Sequence, residues 1–369
     1  MKSSFITYLV ILVPLSVTAQ APLPRLCYKH LSGMAGKNTQ LTMNLVKVND
    51  SLYGDYSVKI TGAGDTHPPL MAEKSTVFCG KMTSRVNFRI MDWPGDKGVS
   101  FKGQFKDEQH ISGTIENIDG KGKPVTFQLG ENYPEGTIPF QVYFSEDEIK
   151  LTNNKTPRAM LKVALLLPAA AKAQAGSDSL RRLILSFFKV NHRGNESPEN
   201  ILTDIRQDYK TEYVTGNQSL YLEMPGASFE WELLKFAHII YNSNHKVSFG
   251  IITYSFTGGA HGLTIEAFTT ADLKTGKTIR LPDLCKAGYE DELARLLTQK
   301  LHTMIDLSQS KKLSEAGYFT DEIKPTENFY LNENGIGFAY NHYEIAPYSF
   351  GITDIFLTSQ ELKGILKQP

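Results

Sequence analysis

The chain is poor in the residues that would staple a small scaffold or mark a metal site. Of its 369 residues only three are cysteine, Cys27, Cys79 and Cys285, with no CxxC pair and no cysteine–histidine cluster at ligand spacing. Neither a disulfide-rich framework nor a zinc site is expected. Net charge is lacking as well, since 39 basic residues face 39 acidic ones, so no nucleic acid and no anionic membrane surface is expected as a partner. No GxSxG elbow, HExxH motif or phosphate loop ending in Lys-Ser/Thr occurs, which removes the readily recognised hydrolase and nucleotide-binding classes. The acidic neighbours Asp321 with Glu322, and Glu290 with Asp291, lie in polar segments. They read as solvated surface, because a glycosidase dyad needs a fixed separation across a cleft. No catalytic residue, metal or cofactor is assigned.

Long apolar runs are also scarce. The first nineteen residues, MKSSFITYLVILVPLSVTA, carry Lys2, an apolar core from Phe5 to Val13, and small residues at Val17 and Ala19. This pattern predicts a cleavable signal peptide over 1–19, cut between Ala19 and Gln20. The apolar core ends at Pro14 and Ser16, short of the roughly 18 residues a membrane span needs. The stretch MLKVALLLPAAAKA from Met160 is interrupted by Lys162, Pro168 and Lys172. The expectation is a periplasmic or secreted protein with no membrane span after cleavage. In an oxidising compartment Cys27 and Cys79 can pair, leaving Cys285 as a buried small hydrophobe beside Leu281 and Leu284.

From Leu41 to Leu129 the sequence alternates. LTMNLVKV, SFKGQFKDEQHISGTI and KPVTFQL place apolar residues at every second position between short Asp, Gly and Lys clusters. An up-and-down antiparallel β-meander is predicted for a first module, residues 20–145. The glycines of F-x-G-x-F and I-x-G-x-I are expected to relieve crowding between strands. LGENYPEGTIPFQVYF then reads as a last strand and a linker. A second domain, residues 146–369, is predicted to be α+β with a mainly antiparallel sheet, in sub-regions of about 150–256 and 257–366. Its helices start at Ser177 and Ser197, the latter followed by Pro198, and a third amphipathic helix runs through EDELARLLTQKLHTMIDL.

One short stretch stands out, YSFTGGAHG. Gly258 and Gly259 precede His261 between two alternating runs, so the imidazole is mounted on a turn that most residue types could not make. It is a candidate for ligand contact or proton transfer, against the plainer reading of a structural turn. Tyr340, His342, Tyr343, Tyr348 and Phe350 crowd a second segment around Pro347. Rings with polar tips suit a protein or carbohydrate interface, and Tyr340, His342, Tyr343 and Tyr348 join Gly258, Gly259 and His261 as candidate ligand-binding residues.

YSFTGGAHG, the following DLKTGKTIRLPDL, the amphipathic helix and ENFYLNENGIGFAYNHYEIAPYSFGITDIFL, in that order, resemble an extracytoplasmic domain family. It is shared by the anti-sigma-V factor RsiV and the accessory region of the peptidoglycan deacetylase PdaC. The likeness covers about residues 150–366. The first module resembles one found in secreted proteins of Bacteroidetes. The resemblance implies a non-catalytic binding protein that recognises a lysozyme-type protein or peptidoglycan glycan. Anti-sigma activity is not implied, because a cleavable signal stands where RsiV has its anchor, and the deacetylase metal motif is absent. The alternative is a cell-envelope hydrolase or transferase using His261 as general base.

Overall fold

A computed structural model describes residues 23–61, 74–93, 98–152, 157–170, 174–188, 196–224 and 229–367. The predicted signal peptide and its cleavage position lie outside the described residues. The alternating runs form eight strands: Leu26–Ala35 (β1), Thr39–Val48 (β2), Ser51–Ile60 (β3), Thr76–Met82 (β4), Asn87–Asp92 (β5), Val99–Phe105 (β6), His110–Asn117 (β7) and Val125–Glu131 (β8). Each pairs antiparallel with the next, and β1 also pairs with β8, Leu31 opposite Glu131, so the meander closes into a barrel. Closure satisfies the backbone groups that open edges would leave unpaired. Leu31, Leu41, Met43, Phe78, Phe88, Phe101 and Phe127 belong to the core that fills it. Gly103 and Gly113 face each other on β6 and β7. A Cβ on Gly103 would lie 2.4 Å from the Phe88 ring, so Gly103 makes room for a core side chain, whereas a Cβ on Gly113 would meet the Lys102 carbonyl of the paired strand.

The pairing considered for Cys27 and Cys79 is not formed, and both thiols are free. Cys27 lies on β1 and Cys79 on β4, with β2 and β3 between them. Three inter-strand spacings amount to roughly 14 Å, about twice the separation a disulfide can bridge.

The second unit is built on a six-stranded sheet in the order β14-β13-β12-β11-β10-β9. Its strands are Phe140–Lys150 (β9), Arg158–Pro168 (β10), Trp231–Ser243 (β11), Lys246–Phe256 (β12), Leu263–Asp272 (β13) and Thr278–Ile279 (β14). The edge strand β9 thus starts inside the segment read as a linker. The sheet also continues across position 256, because β12 and β13 pair from Lys246 opposite Asp272 to Ser255 opposite Leu263. Among the described strands only β10 and β11 run parallel, and the helices Ser177–Ser186 (α1) and Pro198–Glu223 (α2) make the crossover. Ser197 caps α2 by accepting the Asn200 N–H, with Pro198 next. Ser177 is instead the first residue of α1, after Gly176, and its hydroxyl accepts the Gln174 N–H. Leu180, Ile184, Ile201 and Tyr213 of the helices share a core with Leu161, Val163, Ile239 and Phe249 of the sheet.

The chain ends in a three-stranded antiparallel sheet, Phe329–Leu331 (β15), Gly335–Tyr340 (β16) and Thr353–Thr358 (β17). Leu293, Leu297 and Leu301 of the helix Glu290–Met304 pack into one core with Phe338, Ile355 and Leu357. Cys285 is buried in that core, as expected.

The barrel docks on the face of the six-stranded sheet opposite the helices. Tyr53 on β3 packs against Phe236 on β11, and the Asn44 amide donates to the Ile240 carbonyl at 3.1 Å. Asn242 donates to the Tyr28 hydroxyl at 3.1 Å. Asp55 Oδ2 lies 2.5 Å from His238 Nδ1, with both side chains almost completely buried. The C-terminal sheet touches the barrel too, through Asn334 to the Val58 carbonyl at 2.8 Å and the Lys74–Asp354 ion pair at 3.4 Å.

Candidate functional site

The GGAHG turn joins β12 to β13. Gly258 and Gly259 have φ of 94° and 95°, the left-handed region that a side chain penalises. A Cβ on Gly262 would fall 2.4 Å from the Tyr254 ring, so the chain passes against the face of that tyrosine. These constraints push His261 outward, where it is exposed. Its Nδ1 lies 2.9 Å from the Gly262 carbonyl. Because a carbonyl can only accept, this hydrogen bond puts a proton on Nδ1.

The aromatic segment after β16 meets this turn. The Tyr348 ring stacks on His261 with centroids 4.0 Å apart and on His342 at 4.4 Å, with interplanar angles of 25° and 21°. Tyr348 is therefore the middle plate between two imidazoles. Its hydroxyl donates to the Gly262 carbonyl at 2.9 Å, and His342 Nδ1 lies 3.2 Å from the Tyr348 carbonyl. Tyr343 is 55% exposed, with its ring 5.9 Å from that of Tyr348. Its φ is 68°, an unusual conformation for a bulky residue. The Tyr343 N–H donates to the Ala346 carbonyl at 3.1 Å, which holds the turn that presents the ring.

Six of the sequence candidates thus come together: Gly258, Gly259, His261, His342, Tyr343 and Tyr348. Tyr340 does not join them. It is 4% exposed, and its hydroxyl donates to the Lys324 carbonyl at 2.7 Å, so it serves the core. Sequence reasoning missed Phe319, which is 58% exposed and whose N–H donates to the Ile345 carbonyl at 2.9 Å. It lies in an irregular segment with no periodicity to expose it. Phe350, 43% exposed, packs edge-on against Tyr318 nearby. The result is an open surface of flat rings. Among the described residues His261 and His342 bond only to backbone carbonyls and stack only on Tyr348. Neither is joined to a hydroxyl nucleophile or to an orienting carboxylate, as a general base would be.

A separate group of titratable side chains is enclosed where the barrel, the six-stranded sheet and the C-terminal sheet meet. Burial drives the Glu266 carboxyl up to about 7, helped by Asp354 and Asp55 and opposed by His238 and Lys74. Burial also raises Asp354, against the pull of Lys74 and the Tyr330 hydroxyl. For His238, burial works against the charged form, but the charge and hydrogen bond of Asp55, with Glu266, hold the imidazolium above its usual range. Among the described residues His238 Nε2 is buried with no hydrogen-bond partner.

An antiparallel α+β unit carrying a surface imidazole–tyrosine stack, docked to a closed barrel, is the class that fold and site define. Residues 282–359 match the family model described as a protein of unknown function, DUF3298. That stretch includes the amphipathic helix, the three-stranded sheet and the segment with His342, Tyr343 and Tyr348; the GGAHG turn lies before it. The solved structure of a DUF3298 family member from Bacteroides fragilis is similar over 63% of this chain and 94% of its own, with 25% identity and a TM-score of 0.59. A DUF3298 family protein from Pseudomonas aeruginosa covers 62% of this chain and 94% of its own at 17% identity, with a TM-score of 0.44. No curated protein matches the chain.

Proposed function

We propose that the chain is a periplasmic or secreted, non-catalytic binding protein whose recognition surface is the His261–Tyr348–His342 stack with Tyr343. The observation that carries this reading is the stack itself. Two segments 81 residues apart in sequence, at His261 and His342, converge to hold three rings nearly parallel at the surface. Stacked rings are pre-organised and lose little entropy on binding. A strained Tyr343 beside them is the kind of local expense that binding sites carry. The likeness to the RsiV and PdaC domains supplies the partner class, a lysozyme-type protein or a peptidoglycan fragment, and the N-terminal apolar segment supplies the location.

Calorimetric titration of the purified protein with lysozyme and with peptidoglycan fragments tests this reading. Saturable heat with either partner is expected. In the double variant His261→Ala, Tyr343→Ala it should weaken by roughly tenfold or more, the loss of about 1.4 kcal/mol or more. A folded double variant that binds as tightly as the parent removes these residues from the interface, and no heat with either partner overturns the partner class.

A further inference from the structure

One end of the barrel carries a second feature that the recognition surface does not use. A cavity of about 340 Å³ opens there between the strand ends, lined among others by Arg25, Lys47, Asn49, Asp50, Ser84 and Arg85. Lys47 is 6% exposed, and its ammonium donates to the Pro24 carbonyl at 2.8 Å. Lys29, on the neighbouring strand, shows what a buried structural lysine looks like in this fold: equally buried, it is paired with Glu131 at 2.7 Å. Among the described residues no carboxylate lies within ion-pair distance of Lys47, Arg25 or Arg85. A buried ammonium with one neutral acceptor is costly unless an anion completes its shell.

The surroundings suit such an anion. Both Arg25 Nε and Nη2 donate to Asn49 Oδ1, at 3.0 and 2.8 Å, which fixes the guanidinium plane at the rim. The Ser84 oxygen already accepts from the Val86 and Asn87 N–H groups, so its own proton is available to a further acceptor. Three cations face the single carboxylate of Asp50, a surplus that matches the nearly double negative charge of a phosphate monoester. We propose that this barrel mouth binds a phosphate group, as free phosphate or as a small phosphomonoester, with Lys47 as the buried point charge and Arg25 and Arg85 as its clamps.

Titration of the whole protein with inorganic phosphate and with glycerol phosphate, at fixed ionic strength and with citrate as control, tests the assignment. One-site saturable binding of at least one phosphate compound is expected, and the tighter of the two identifies the source. Lys47→Met keeps the buried stem and removes the charge; Arg25→Gln with Arg85→Gln removes the exposed clamps. Each should weaken binding by roughly tenfold or more, as loss of charge-assisted contacts implies. The exposed arginine pair carries the test by itself should Lys47→Met fail to fold. Absence of saturable heat with both phosphate compounds, undiminished binding in the folded variants, or binding of citrate in preference to phosphate each overturns the proposal.

Discussion

At Gly250, absence of a side chain is a packing requirement. A Cβ there would stand 2.2 Å from His238 Nε2 and 2.7 Å from the Phe268 ring. His238 cannot swing aside, because its Nδ1 is held by Asp55 across the docking seam. Gly250→Ala is therefore expected to destabilise the protein by about 1–3 kcal/mol, the usual effect of overpacking, read as a lower urea midpoint. His261 is the contrasting case. Its exposed ring bonds only its neighbour's carbonyl and stacks on Tyr348, so His261→Ala should change stability by no more than about 0.5 kcal/mol in the same measurement. Binding lost in that variant would then report on contact, not on folding.

At the scale of elements, the start of α2 gives a direct test. Ser197 accepts the Asn200 N–H at 3.2 Å, and Ser197→Ala is expected to cost about 1 kcal/mol of stability in a denaturant melt. That cap was legible because its chemistry is local, as were β2, β6, β7 and β8, whose inward residues alternate. β1 was not legible, for a physical reason. Leu31 points into the barrel, while Tyr28 and His30 are buried on the outer wall, so both faces are covered and no alternation survives. Closure of the meander and the parallel β10–β11 pair depend on residues far apart in sequence, which period alone cannot join. The two halves of the candidate site were legible as separate oddities of composition. Their meeting was not, and Tyr340 and Tyr343 look alike in sequence although one ends a buried strand and the other sits on an exposed turn.

The whole molecule is joined at a seam that holds protons. Glu266 and Asp354 are raised by burial, and His238 is raised by its acidic neighbours. A raised folded-state value means that the folded protein binds protons the unfolded chain releases, so stability is greatest at low pH and declines as pH rises. For Glu266 the decline runs from the ordinary carboxyl range to about 7, and for His238 it continues above the ordinary imidazole range. Asp272 and Glu361 are held below the usual carboxyl range and are ionised above pH 5, so they do not offset the slope there; His30, held below the ordinary imidazole range by burial, opposes it, but as one group against Glu266, His238 and the raised Asp55 together. The melting midpoint should therefore fall between pH 5 and pH 8, and Glu266→Gln should flatten the fall. A midpoint that rises over this interval would reverse the sign argued here. The same seam also orders events during synthesis. The strands of the barrel are complete at Glu131, yet the wall that presents Tyr28, Val46 and Tyr53 is covered only in part by Phe140 of β9, which packs on Tyr28, and its cover is completed when β11 arrives, beginning at Trp231, with Phe236 on Tyr53. In the interval a finished module exposes a sticky, unclaimed side, a hazard for any nascent chain. A fragment ending just after Glu131 is expected to bind an apolar dye that the full chain excludes, making the N-terminal third a client for chaperones until the remainder of its own chain relieves them.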